Sequence, residues 1–265
     1  MKLRADQLSF WEANSYLLLR GVFASEAEVL SEWVSEVEGW KGDPGGVLHF
    51  FEREDPSVLS RIENFVPDHA GLAGLLAGPV LMGLLEALSG EPMLLYKDRI
   101  NFKNPGGGAH SAHQDGVAYE AGFENAQFDA GKRPYLSVLI SVDPATRENA
   151  CLEVVPGWDV DRLEILRMER PRNSDPHFSK IADSIEAELD WRPLETRPGD
   201  VLVFTERLPH RSGVNGSNDR RRILYGVYNP ASEGDLRAAY FEKKRAHPED
   251  PRYMVGNPHA PGNRS

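Results

Sequence analysis

His113-Gln114-Asp115 places an imidazole and a carboxylate two residues apart. In a strand or an extended turn, residues i and i+2 project to the same face, so the two side chains converge on one point. A second histidine from a distant strand would complete a set of two histidines and one carboxylate. That set leaves three coordination positions open, which suits Fe(II) binding both a co-substrate and O2. His210 is the best-placed candidate, at the end of GDVLVFTERLPH, where a buried strand runs out to a rim. The local pattern alone is weak, because an aspartate near a histidine is often only a structural hydrogen-bond pair. His49, His69, His110, His177, His247 and His259 compete with it and read as surface or supporting residues.

Arg220-Arg221-Arg222 opens the next apolar strand, just downstream of His210. A planar, bidentate guanidinium is the best partner for a carboxylate such as the distal one of 2-oxoglutarate. The plainer reading is an exposed basic cluster at a strand start. Successive strand residues alternate faces, so either Arg221 or its two neighbours point inward.

The elements that must position these residues are mostly strands. Ser15–Phe23 is strand-like, and Ser25 with Glu28 has the form of a capping box. The helix that follows carries Val29, Leu30, Trp33, Val34 and Val37 on one apolar face, the pattern of core packing. Pro79 suits the first turn of a second helix, running to about Leu88. From Pro92 on, short apolar runs alternate with turns. The strand candidates are residues 93–103, 135–142, 151–155, 201–204 and 222–228, with a short helix at 178–189. Pro105–Gly108, DPATRENA and Arg197-Pro198-Gly199-Asp200 supply the breaks. Such spacing indicates a mainly β sandwich or jelly roll with flanking helices. The chain reads as one domain, with a helix-rich part over 1–90, a β-core over about 91–230 and an irregular tail after Arg245.

Lys plus Arg number 30 against 41 Asp plus Glu, a formal charge of −11. That balance argues against nucleic acid or an anionic membrane as the main partner and leaves a small molecule. It sets no oligomeric state. The single cysteine, Cys151, excludes an intrachain disulfide and suits a reducing cytosol. Met1 to Gln7 lacks the apolar run of a secretory signal, and the apolar stretch near Val80–Leu88 is too short to span a bilayer. A cytoplasmic enzyme is the expectation.

Three stretches together resemble the phytanoyl-CoA dioxygenase family of Fe(II)/2-oxoglutarate oxygenases: INFKNPGGGAHSAHQDG (100–116), TRENACLEVVPG (146–157) and RPGDVLVFTERLPHRSGVNGSNDRRRILYGVYNP (197–230). The resemblance implies a double-stranded β-helix, a jelly-roll variant. It implies that His113, Asp115 and His210 bind Fe(II), that Arg221 anchors the distal carboxylate of 2-oxoglutarate, and that O2 is the oxidant. Asn101 and Lys103 fall on the strand that lines the co-substrate site in similar enzymes, and Gln114 is placed to touch substrate or support the metal. One departure is Leu139, where many relatives carry an aromatic residue; Ser137 or Ser141 then becomes the candidate polar contact. The implied reaction couples decarboxylation of 2-oxoglutarate to hydroxylation of an unactivated C–H. Desaturation, cyclisation and a non-catalytic metal-binding sensor are the alternatives on the same site.

Arg61-Ile62-Glu63-Asn64-Phe65, YKDRINFK and HQDGVAYE look most like a bacterial branch that acts on small charged molecules. The structural reading of the first of these is a buried ion pair or loop brace. Tyr96, Tyr119 and Glu120, with Glu124 and Asp129, suit a cationic group, and Arg53, Arg61 or Lys97 suit one phosphonate or carboxylate. A zwitterion fits both sets better than an acyl-CoA.

Overall fold

The structure is a computed structural model and describes residues 2–41, 46–52, 55–118, 134–158, 166, 168–169 and 180–246. Helix α1 (Ala5–Asn14) leads through β1 (Tyr16–Leu19) to α2 (Ala27–Glu38). Strands β2 (Leu48–Phe51) and β3 (Leu59–Glu63) precede helices α3 (Ala70–Leu76) and α4 (Pro79–Ser89). The long strand β4 (Met93–Lys103) is followed by β5 (His110–His113), β6 (Leu136–Ser141) and β7 (Leu152–Val154). Then come β8 (Met168–Glu169), β9 (Lys180–Ile181), α5 (Asp183–Glu186) and β10 (Arg192–Leu194). Strands β11 (Val201–Thr205), β12 (His210–Ser212) and β13 (Arg221–Pro230) and helix α6 (Arg237–Ala246) complete the described chain.

The strands form a seven-stranded antiparallel sheet, β1-β11-β6-β13-β4-β3-β2, and a four-stranded sheet, β10-β7-β12-β5. The short pair β8-β9 stands apart. Period-two burial explains how the large sheet is covered on both sides. On β11, Leu202 and Phe204 join Leu139, Ile223 and Tyr225 in a cluster with Leu152 and Val154 of the small sheet. The intervening Val201 and Val203 join Val138, Ile140 and Leu224 in a second cluster with Leu30, Val34, Val37, Leu72, Leu76, Leu81, Leu84 and Leu85 of the helices. The result is a jelly roll whose inner face meets the small sheet and whose outer face is plated with helices, the fold class expected from the strand pattern.

Several local expectations change. The first 90 residues carry helices α1 to α4 and also donate three strands to the large sheet. The Ser25–Glu28 capping box does not form: the helix begins at Ala27, and the Ser25 hydroxyl donates to the neighbouring Glu26 carboxylate instead. The helix expected at 178–189 shrinks to Asp183–Glu186, and the chain beyond Leu236 holds helix α6. By length and composition Ala70–Ser89 is apolar enough to cross a membrane. In this structure it is two helices separated at Ala77–Gly78, and their leucines fill the outer-face core. The Arg197–Asp200 turn forms as expected. Gly199 has φ +81° there, and a Cβ would sit 2.5 Å from the Phe23 backbone, so only glycine fits.

Candidate metal centre and co-substrate face

Strands β5 and β12 lie side by side in the small sheet, with His113 directly opposite His210. Their rings are 4.2 Å apart between centroids. Asp115 lies just beyond the end of β5, at the start of a short 3-10 turn. The Gly116 N–H donates to the Glu206 carbonyl and folds this turn back towards the histidines. The Asp115 carboxylate is 3.6 Å from His113 Nε2 and 3.8 Å from His210 Nε2. One donor atom from each of the three residues falls within 4.8 Å of the others.

The surrounding hydrogen bonds prepare these atoms for a cation. His113 Nδ1 is 2.7 Å from the Ser111 carbonyl, and His210 Nδ1 is 3.0 Å from the Leu208 carbonyl. A carbonyl only accepts, so each Nδ1 carries the proton and each Nε2 keeps its lone pair facing Asp115. Burial, with help from His113, pushes His210 down to about 4, so it is neutral at physiological pH. Burial opposes ionisation of Asp115, yet it is held well below the usual carboxylate range, with the Arg99 charge contributing. Ser137 Oγ donates to Asp115 Oδ2 at 2.9 Å and leaves Oδ1 towards the histidines. Two imidazoles and one oriented carboxylate are the donor set of a facial Fe(II) site, so the residues fit the metal.

A row of polar side chains runs from this corner across the inner face of the large sheet. Lys97, Arg99, Asn101 and Lys103 alternate along β4, and Arg61 and Glu63 stand beside Asn101 and Arg99 on β3. Arg221 of β13 stands beside Lys103. Arg221 is buried, donates through Nη1 to the Ala150 carbonyl, and has no hydrogen-bond partner at Nε. Burial and Arg221 push Lys103 down to about 7, and its Nζ donates to Ser212 Oγ and the Gly213 carbonyl. Among the described residues neither cation has an ion-pair partner, so two like charges lie side by side with no anion between them. A dicarboxylate's free end would supply one. His110 lies close by on β5, opposite Ser212, and burial with Lys103, Arg61 and Arg221 keeps it neutral.

Neighbouring arginines behave differently. Arg222 faces the opposite side of the sheet and is held by Asp143, Ser31 and Ser35, whereas Arg220 is exposed and pairs with Glu38. Gln114, expected to touch substrate or support the metal, is committed to the backbone: Nε2 donates to the Arg207 carbonyl at 2.6 Å and Oε1 accepts from Leu166 N at 2.8 Å. It braces the metal loop. Asn101 Oδ1 accepts from Arg61 Nε at 3.1 Å. Ser137 serves Asp115, and Ser141 pairs with Thr196, so each hydroxyl expected near Leu139 already has a protein partner. The ion pair foreseen in RIENF does form, Arg61 Nη1 to Glu63 at 3.1 Å.

One basic residue, Arg99, escaped the sequence reading of the site, and Lys97 stands beside it in the row. Arg99 stacks 4.4 Å over the Tyr225 ring and lowers the pKa of His210 by its charge. Lys97 is buried and pushed down to about 7, by burial first and Arg99 second. The signal was present, since period two along YKDRINFK puts Lys97, Arg99, Asn101 and Lys103 on one face. Tyr119, Glu120, Glu124, Asp129, Arg53, His177, His247 and His259 lie outside the described residues.

The sequence profile of the phytanoyl-CoA dioxygenase family matches residues 11–223. The chain is 34% identical over 245 residues to the 2-aminoethylphosphonate dioxygenase of an uncultured bacterium, covering 91% of this chain and 87% of that one. It is 38% identical over 246 residues to the methylphosphonate hydroxylase of Gimesia maris, covering 92% and 87%. The crystal structure of EctD from S. alaskensis with 2-oxoglutarate and 5-hydroxyectoine superposes with a TM-score of 0.66 at 20% identity, over 87% of this chain and 77% of that one, and shares the fold. With that match, the three-donor corner and the jelly roll that carries it, the chain belongs to the phytanoyl-CoA dioxygenase family and is an Fe(II)/2-oxoglutarate-dependent dioxygenase.

Proposed function

We propose that the protein hydroxylates a C–H of a small zwitterion with an anionic head, of which an aminophosphonate is the model. His113, Asp115 and His210 hold Fe(II), and Arg221 with Lys103 receives the distal carboxylate of 2-oxoglutarate. With O2 and 2-oxoglutarate, the iron supplies the oxidising power that an unactivated C–H requires. The protein's own share is placement. The two Nδ1–H···O=C bonds fix the imidazoles, Ser137 fixes the carboxylate, and the apolar wall of Leu139, Phe204 and Ile223 keeps water away.

The substrate class rests on one observation: the face next to the metal corner is cationic in a chain whose net charge is −11. Arg61, Lys97 and Arg99 line it, and Lys97 and Arg99 each act electrostatically on Asp115. Lys97 and Ser137 flank Val227 in the sheet, so about 10 Å separates their strands, the length of a small molecule. Two curated relatives named for phosphonate substrates support the same class. A coenzyme A ester brings several phosphates and needs a basic rim, which the acidic surface does not favour.

Coupled turnover is the test. Succinate and hydroxylated product are measured with 2-aminoethylphosphonate, methylphosphonate, trimethylammonium zwitterions and acyl-CoA esters. The expected result is near one product per succinate with a phosphonate. Tight coupling only with an acyl-CoA would overturn the reading.

A further inference from the structure

The family match ends at residue 223, inside β13. The basic face continues past that point, because helix α6 contributes to it. Tyr240 and Phe241 pack with Leu48 and Tyr96. The Tyr240 ring is 4.7 Å from that of Tyr96, and Lys97 Nζ lies 5.7 Å from the Tyr240 ring centre. A bulge explains how two consecutive β4 residues reach one ring. Leu95 and Lys97 pair with successive residues of β13, Tyr228 and Val227, so Tyr96 is the extra residue, and the strand bends there.

The same helix carries a buried charge. Lys244 Nζ pairs with Glu63 and lies 4.8 Å from the centre of the Phe50 ring. Glu63 has no solvent exposure, and its other oxygen accepts from Arg61 at 3.1 Å. Arg61 in turn donates to Asn101 on β4. A continuous hydrogen-bonded chain therefore runs from α6 through β3 to the strand that carries the basic row. Burial alone would raise Glu63, but Lys244 and Arg61 hold it down to about 2, so it stays ionised and shared between them. Without Lys244 the carboxylate would be left to Arg61 and to Lys97, the next cation acting on it. It would then neutralise the charge that faces the metal corner. A second ion pair, Arg237 to Asp98 at 2.6 Å, docks the start of the helix on β4 independently of Lys244.

We propose that α6 is the element of this chain that selects the substrate: Tyr240 walls the far end of the basic face, and Lys244, acting through Glu63, positions Arg61 for the substrate's anionic head. The proposal rests on the anionic-head reading above. Lys244 is a positioning residue and touches neither iron nor 2-oxoglutarate.

The test compares wild type with Lys244→Met, Lys244→Arg and Tyr240→Leu. The measurements are KM and kcat for the best phosphonate, KM for 2-oxoglutarate, the ratio of succinate to product, and the anaerobic Fe(II)–2-oxoglutarate charge-transfer band. Lys244→Met is expected to raise the phosphonate KM about tenfold or more and to produce excess succinate. The 2-oxoglutarate KM and the band should stay as in wild type, and Lys244→Arg should recover most of the loss. Tyr240→Leu should favour a longer phosphonate over methylphosphonate about fivefold more than wild type does. A folded Lys244→Met enzyme with the wild-type phosphonate KM, or one whose 2-oxoglutarate KM rises in parallel, would overturn the proposal. Should Lys244→Met not fold, Tyr240→Leu decides alone, and an unchanged preference overturns it. If wild type turns over no phosphonate, the substrate reading fails by itself. Binding of methylphosphonate to the Fe(II)–2-oxoglutarate protein by calorimetry then judges α6: weakening of about tenfold in Lys244→Met supports it, and equal affinity overturns it.

Discussion

Two consecutive arginines on opposite faces of the large sheet are buried in opposite ways. On the outer face Arg222 meets Asp143 through two nitrogens, adds Ser31 and Ser35, and so is fully matched inside the protein. One residue earlier, Arg221 points to the inner face, keeps one carbonyl contact and stands beside Lys103, with no ion-pair partner among the described residues for either. A satisfied buried charge holds a fold together. A buried cation left short of anions is costly until a ligand arrives, and that cost marks a binding site.

The sharpest test of this contrast is at the metal corner. Asp115→Ala or His210→Ala should abolish coupled turnover while circular dichroism stays native, because each removes one of three donors. Retained Fe(II) binding with succinate production in either variant would remove that residue from the ligand set. Next, Arg222→Leu and Arg221→Leu should separate fold from function. The first leaves Asp143 without its partner and should cost roughly 3–5 kcal/mol of stability by denaturant melts. The second should raise the 2-oxoglutarate KM by about 30-fold or more, for a loss of roughly 2–4 kcal/mol, with little change in stability. Equal effects on KM from both would erase the distinction between the faces.

Lys103 gives a pH signature of intermediate size. Its folded pKa is about 7, whereas in the unfolded chain it stays charged well above that. Between these values folding releases a proton, so its burial penalty falls and stability rises as pH climbs through this window. A bound carboxylate favours the charged form. Binding of 2-oxoglutarate above neutrality should therefore take up a fraction of a proton and weaken as pH rises. Calorimetry in buffers of different ionisation enthalpy measures this directly, and no uptake at about pH 8 would separate Lys103 from the carboxylate. The smallest effect is expected at Gln114. Gln114→Leu strands the Arg207 carbonyl and the Leu166 N–H, which should cost roughly 1–3 kcal/mol of stability and shift both KM values only slightly.

Where strands are continuous and apolar, the sequence was readable. Residues 93–103, 136–141, 201–205 and 221–230 stand out through β-branched and aromatic runs, and the metal-ligand candidates sit on the short strands and turn between them. The parts that escaped depend on distant partners. Helix α6 has a polar sequence, RAAYFEKKRA, and its burial of Lys244 is intelligible only once Glu63 is seen opposite. Strands β2 and β3 are short, and Arg61 and Glu63 of β3 stand beside the polar row of β4. Ser25 matched a capping pattern, but the chain enters α2 from a turn that leaves Glu26 at the cap. Which of the two roles open to Gln114 it takes is not legible in the sequence, because its backbone partners are distant, the Arg207 carbonyl being 93 residues away in the chain.

That last separation bears on how the molecule comes to exist. Strand β13 is the last strand of the described chain, yet it sits between β6 and β4 in the middle of the large sheet. A ribosome must release it before β4 has its long-strand neighbour and before Arg221 can meet Lys103. Loop closure over such distances is slow, and non-local pairing must be established before it is rewarded. Iron capture should therefore come late: a nascent chain stalled before β12 lacks His210, and one stalled before β13 lacks the central strand that backs the co-substrate face. Metal loading in a pulse-labelled synthesis would report completed folding.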